Sequence, residues 1–174
     1  MEVSVRRVTL KDVSALSAIA KLTFYDTFTG TCTEKDMEEF LEEFFNEDQL
    51  RKEISDVNDY CYFCEVRGHT VGYIRFKEDY NGLPVVKQWK ALELKRLYVL
   101  SEYKGNGIAP HLMKVFFDFA QLHKYEMVWL GVWENNIRAK NFYKKYGFKP
   151  SGYTHDFPIG NTPQTDEWYW KLVE

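Results

Sequence analysis

With 174 residues and 45% apolar composition the chain can cover one core but is short for two, so one domain over residues 1–174 is expected. A formal net charge of −3, with acidic and basic residues mixed along the chain, excludes the electrostatic footprint of a nucleic-acid binder. No segment is long and apolar enough to cross a bilayer. The first ten residues lack the apolar run of an export signal, and three cysteines cannot all pair, so a cytoplasmic protein without a membrane partner is expected.

Thr9, with Asp12 three residues on, reads as a capping box opening a helix in which Val13, Leu16, Ala20 and Phe24 recur at helical spacing to about Thr27. Thr33 and Asp36 repeat the device, and Met37, Phe40, Leu41, Phe44 and Phe45 form an apolar stripe behind Glu38, Glu39, Glu42 and Glu43. Leu50 and Ile54 extend this helical region. Tyr60 to Val66 and Val71 to Phe76 are rich in β-branched and aromatic residues and read as two strands joined by the turn Arg67-Gly68-His69-Thr70.

Within the first of these strands Cys61 and Cys64 form a CxxC, yet residues three apart on a strand face opposite sides of the sheet. Buried thiols are expected there, with no metal and no disulfide. Asn81-Gly82-Leu83-Pro84 breaks the pattern before a strand at Leu92 to Val99. A glycine-rich turn, a helix to Leu122, a strand at Val128 to Val132 and a helix from about Asn136 to Tyr146 follow, the last ended by Gly147. Two strands complete the chain, the final one Glu167 to Leu172, joined across Pro158 to Pro163.

Lys104-Gly105-Asn106-Gly107-Ile108-Ala109 stands between a strand and a helix start. Unpaired N–H groups at a helix N-terminus and the positive end of its dipole suit a phosphate, and glycine lets the backbone come close. Pro110 is tolerated in a first helical turn. The same turn could simply cap a helix. A Walker A loop is excluded because no Lys-Ser/Thr pair follows the second glycine, and Pro110 occupies the place of the third glycine of a dinucleotide fingerprint.

On these residues the chain resembles the GCN5-related N-acetyltransferase (GNAT) superfamily. Lys104, Gly107 and Ala109 occupy its pyrophosphate signature, Gln/Arg-x-x-Gly-x-Gly/Ala, with Lys104 departing from the usual residue. A second signature appears as Asn136-Ile137-Arg138-Ala139-Lys140-Asn141-Phe142-Tyr143 followed by Tyr146-Gly147-Phe148. Within the superfamily nearly the whole chain is similar to the bacterial PaiA-type spermidine/spermine N-acetyltransferases. That similarity is carried by Thr23 to Phe28, Trp129 to Glu134, Phe142 to Lys145 and Gln164-Thr165-Asp166. The resemblance implies an α/β (α+β) fold: a central mixed, mostly antiparallel sheet, flanked by helices and splayed between its fourth and fifth strands, where the pantetheine arm of acetyl-CoA lies.

The chemistry of amide formation sets three requirements: a base for the ammonium, an acid for the leaving thiolate, and an N–H donor for the oxyanion. Glu93 lies eleven positions before Lys104, where the resemblance places a general base; a surface strand carboxylate is its alternative reading. Tyr143 matches the family's tyrosine acid, although its helical spacing with Ala139, Phe142 and Tyr146 also suits a core residue. The resemblance implies a backbone donor and a bulge at Tyr98 to Val99, with Leu97, Tyr98 and Val99 against the coenzyme. It also places Lys104, Gly105, Asn106, Gly107, Ile108 and Ala109 on the pyrophosphate. Asn136 is expected on the pantetheine arm or as a helix cap, and Lys145 near the CoA phosphates.

Glu38, Glu39, Glu42 and Glu43 are candidates for attracting a cationic acceptor, with a solvated helix face as their plainer reading. His69, His111, His123 and His155 show no metal spacing and read as structural. The expected function is acetyl transfer from acetyl-CoA to a small amine, a polyamine such as spermidine or spermine. A protein or peptide N-acetyltransferase and a non-catalytic CoA-sensing module are the alternatives, and a homodimer is left open.

Overall fold

The computed structural model describes residues 2–174. Seven strands, β1 (Val3–Arg7), β2 (Asp59–Val66), β3 (His69–Glu78), β4 (Ala91–Val99), β5 (Met127–Trp133), β6 (Lys149–Asp156) and β7 (Thr165–Leu172), form one sheet in the order β1-β2-β3-β4-β5-β7-β6. Every pairing is antiparallel except β4 with β5. Helices α1 (Val13–Phe28), α2 (Glu34–Phe45) and α3 (Glu47–Ser55) precede β2; α4 (Ile108–Leu122) links β4 to β5, and α5 (Ile137–Lys145) links β5 to β6.

Three local features differ from the sequence reading. Val3–Arg7 is a strand, paired in full with β2 from Val3–Val66 to Arg7–Tyr62. The β2–β3 turn is only Arg67-Gly68, both at positive φ (51° and 78°), the pattern of a two-residue hairpin, so the strand resumes at His69. The helical region after α2 is interrupted at Asn46. Its amide donates to the carbonyls of Glu42 and Glu43 while its side-chain oxygen accepts from the N–H of Gln49, ending one helix and capping the next.

The sheet is covered on both faces. α4 lays Leu112, Met113 and Phe116 against Leu92, Leu94, Val128 and Leu130. On the opposite face Phe24, Phe28, Phe40 and Phe45 from α1 and α2 gather over Phe63 and Tyr73, each fully buried phenylalanine contributing about 1.5–3 kcal/mol. Cys61 and Cys64 are free and lie on these two opposite faces.

β4 and β5 pair only from Ala91–Met127 to Leu94–Leu130 and then part. The residue inserted into β4 is Lys95: Arg75 faces Arg96 and Phe76 faces Leu94 across β3. The bulge therefore sits at Lys95 and not at Tyr98 to Val99, where the resemblance put it. Its effect is readable in the packing, since the residues facing α4 are Leu92 and Leu94 before it but Leu97 and Val99 after it. The diverging half of β4 is braced by charge. Arg96 donates to Glu53 at 2.7 Å, and Arg75 bridges Glu53 at 3.2 Å and Asp59 at 2.6 Å. Burial disfavours the Glu53 carboxylate, but Arg96 and Arg75 hold its pKa below the ordinary value.

Candidate active site

Where β4 and β5 part, two cavities meet back to back. A groove of about 600 Å³ runs over Leu97, Tyr98 and Val99 to the turn Lys104, Gly105, Gly107, Ile108 and Ala109, with Arg138 and Phe142 of α5 opposite. A cleft of about 410 Å³ lies on the other side, between α1, α2 and the parted strands. Thr27, Leu97, Tyr98, Trp133, Asn136, Ala139 and Tyr143 border both, so one wall is shared.

The groove has the features of an anion site. Gly105 and Gly107 have φ of 87° and 80°, a conformation that L side chains rarely adopt. A Cβ at either position would find nothing within 4 Å, so the space above the turn is open. Gly107 is the N-cap of α4, and the N–H groups of Ile108 and Ala109 in its first turn have no intrahelical acceptor. The N–H of Leu100 donates to Val71 on β3. By strand alternation the N–H groups of Leu97 and Val99 point the other way, into the gap that β5 has left.

Asn136 is the helix cap. Its side-chain oxygen accepts from the N–H of Ala139 at 3.1 Å, and the residue also borders groove and cleft. Asn106 is exposed, and its amide folds back to the carbonyl of Glu102 at 3.5 Å, outside the groove lining. Lys145 is also outside the lining. Arg138, in the first turn of the same helix, stands there instead, about 10 Å nearer the helix start by the axial rise.

Tyr143 is 9% exposed and packs edge-on against Phe142 and Phe148. Burial pushes its phenol well above the ordinary value, so it stays protonated and able to donate. Glu93 is 5% exposed, faces Trp129 across the last paired rungs, and accepts from Lys95 Nζ at 2.9 Å. Burial raises its pKa to about 7, against the opposing pull of Lys95. Glu93 does not line the cleft itself; Lys95 does.

The four candidate carboxylates of α2 are not brought to the cleft. The helix turns Phe40 and Phe44 toward it, so Glu38, Glu39, Glu42 and Glu43 face solvent, Glu42 paired with Lys21 and Glu39 with Lys35. The carboxylates that do line the cleft are Asp156 and Asp166, from β6 and β7, and the sequence reading gave neither a role. Asp166 lay inside a stretch singled out by resemblance, which was the one available signal. The connection from Pro158 to Pro163 is pinned to α2: Asp36 accepts from the N–H of Asn161 and the hydroxyl of Thr162, leaving Phe157 and Pro158 as one side of the cleft. Among the described residues no group of three or more His, Cys, Asp and Glu could hold a metal, and no helix is long and apolar enough to cross a membrane.

Residues 22–148 match the sequence profile described as the acetyltransferase (GNAT) family. An uncharacterised N-acetyltransferase in the pepI 3′ region of Lactobacillus delbrueckii subsp. lactis is 34% identical over 94% of each chain. The spermine/spermidine N(1)-acetyltransferase of Bacillus subtilis is 32% identical over a shorter stretch, 34% of this chain and 40% of that protein. Among solved structures, the PaiA N-acetyltransferase of Thermoplasma acidophilum in complex with coenzyme A superposes with a TM-score of 0.79 over 99% of both chains, at 22% identity. The chain belongs to the GNAT family of acetyltransferases, and its splayed mixed sheet is the fold of that family.

Proposed function

We propose that the protein transfers the acetyl group of acetyl-CoA to a small amine, with a polyamine such as spermidine or spermine as the acceptor. The observation that carries this reading is the wall shared by groove and cleft, on which Tyr143, Asn136 and Leu97 stand, with Val99 beside them on the groove side, between an open anion-binding turn and a carboxylate-bearing cleft. Acetyl-CoA fits the groove: the turn has open space and free donors for its pyrophosphate, and Arg138 adds a positive charge. Glu93 removes the ammonium proton through water, Tyr143 donates to the departing sulfur, and the Val99 N–H faces the developing oxyanion.

The aromatic cleft with Asp156 and Asp166 supports a cationic acceptor, and the sides formed by Phe157 and Pro158 favour a small one over a peptide strand. The similarity to the Bacillus enzyme supports the polyamine in particular. Three free cysteines fit a cytoplasmic setting. In a thiol-release assay with polyamines, aminoglycosides, amino acids and peptides, spermidine or spermine should be used best. Equal use of peptides or simple monoamines would overturn the polyamine assignment.

Gly107→Val should weaken acetyl-CoA binding by roughly tenfold or more in calorimetry. A valine has open space there, so the cost is not a collision; it is the left-handed backbone, for which a β-branched residue is an outlier costing about 1–3 kcal/mol. Relaxing that strain turns the cradle's N–H groups away from the phosphates. Unchanged affinity in a folded variant would show that the pyrophosphate binds elsewhere.

A further inference from the structure

Asp166 and His155 face each other across the β6–β7 pair, with His155 Nε2 at 3.4 Å from Asp166 Oδ2. The ring stacks on Trp168 at 3.9 Å, and its Nδ1 lies 3.0 Å from the backbone carbonyl of Asp156. A carbonyl can only accept, so Nδ1 carries a proton, and in neutral His155 the second nitrogen, Nε2, presents a lone pair. Nε2 and the Asp166 oxygen are then two acceptors side by side with no donor between them. Asp166 Oδ1 is buried and has no donor either among the described residues. A carboxylate this short of donors at the edge of a cavity is costly unless something supplies them.

Access to the pair is through Gly131. A Cβ there would come within 3.1 Å of Asp166 Oδ2 and 3.2 Å of His155 Nε2, and Gly131 and Asp166 both line the cleft. A Cβ there would also press on Trp168 at 3.0 Å, so glycine, just past the last β4–β5 rung, keeps the ground beside Asp166 free of a side chain. Around it the walls are Phe28, Trp133, Phe157 and Tyr98, whose ring faces favour a cation.

We propose that Asp166 and His155 together are the anchor for an ammonium group of the acceptor, which donates one N–H to Asp166 Oδ2 and another to His155 Nε2 over Gly131. This rests on the amine-acetylating reading above and names the residues that select its substrate. A proton on His155 competes with the acceptor for the same place, because imidazolium donates to Asp166 itself. Burial lowers the His155 pKa, but the hydrogen bond and charge of Asp166 outweigh this and raise it above its ordinary value. The charged groups around it are Asp166 on β7, Asp156 on β6, and Glu93 with its partner Lys95 on β4. Arg96 also lines the cleft but is held by Glu53, and α1 and α2 present only phenylalanines and Thr27.

The test is calorimetric titration of spermidine into the CoA-saturated protein, for wild type, Asp166→Asn, Gly131→Ala and the solvent-facing comparison Glu42→Gln, with CoA affinity and melting temperature measured on the same samples. Asp166→Asn should weaken spermidine at least tenfold with CoA affinity unchanged, and Glu42→Gln should bind as wild type. Wild-type affinity should rise as the pH climbs above the ordinary histidine range and His155 loses its proton, and Asp166→Asn should reduce that rise to the part that Glu93 supplies as it ionises. If Asp166→Asn does not fold, Gly131→Ala decides, since its methyl occupies the ground over both acceptor atoms and displaces them and Trp168 by only a few tenths of an ångström. Wild-type affinity in whichever of the two is folded overturns the anchor and leaves the amine reading standing. A wild-type protein that neither binds nor acetylates any amine in the panel overturns the amine reading, and the anchor with it.

Discussion

Glu93→Gln should lose at least about a hundredfold in turnover and yet melt at a higher temperature than wild type at pH 8. Both effects follow from one buried carboxylate. As a base Glu93 must be ionised, so wild-type activity should rise with pH through about 7, and this limb should vanish in the variant. For stability the sign runs the other way. The folded-state pKa, about 7, lies above the ordinary 4.5, so the group's contribution is fully present below pH 4.5 and is lost as pH rises through 7. Above that pH the wild type carries a charge that its burial disfavours, at up to about 3 kcal/mol for a shift of this size. Glutamine keeps an acceptor for Lys95 without the charge. The two proteins should therefore melt alike at pH 5 and diverge at pH 8. A variant with full activity would remove Glu93 from the role of base, and one destabilised equally at both pH values would overturn the buried charge as the source of the melting difference.

The elements carrying the strongest periodicity were legible in the sequence, and so was the glycine turn, because a left-handed backbone at Gly105 and Gly107 has few other residues able to make it. β1 was missed because Val3 and Val5 are its only apolar residues, and its strand state depends on the register with β2. Asn46 was passed over since Leu50 and Ile54 keep the apolar stripe in phase across the break, hiding a cap that serves both helices. The acidic face of α2 was seen correctly as one face. Which face meets the cleft is a tertiary fact, decided by Phe24 and Phe28 of α1 packing with Phe40. Asp166 and His155 were invisible as a pair for the same reason: strand register joins them, and no spacing in the chain announces it. Position along a helix was the subtler failure. Arg138 and Lys145 share a face of α5, but the groove lining ends along the helix at Tyr143, so Arg138 borders it and Lys145 does not.

Tyr143→Phe should lower turnover by about a hundredfold or more while leaving acetyl-CoA affinity within about threefold. The ring is already accounted for by packing: it sits edge-on to Phe142 at 5.5 Å and Phe148 at 5.8 Å, and phenylalanine keeps both contacts. Only the hydroxyl is lost, and among the described residues it has no hydrogen-bond partner to leave unsatisfied, so the melting temperature should hardly change. What the hydroxyl provides is a proton at the wall where groove and cleft meet, retained at every pH near neutrality because burial holds the phenol far from ionisation. Tyr143→Ala separates the two roles, since removing the ring from this site should cost about 3–5 kcal/mol of stability in addition to the rate. The phenylalanine variant is the decisive one. If it turns over at the wild-type rate, Tyr143 is a core residue whose hydroxyl does no chemistry, and the acid that protonates the departing sulfur must be sought elsewhere along the shared wall.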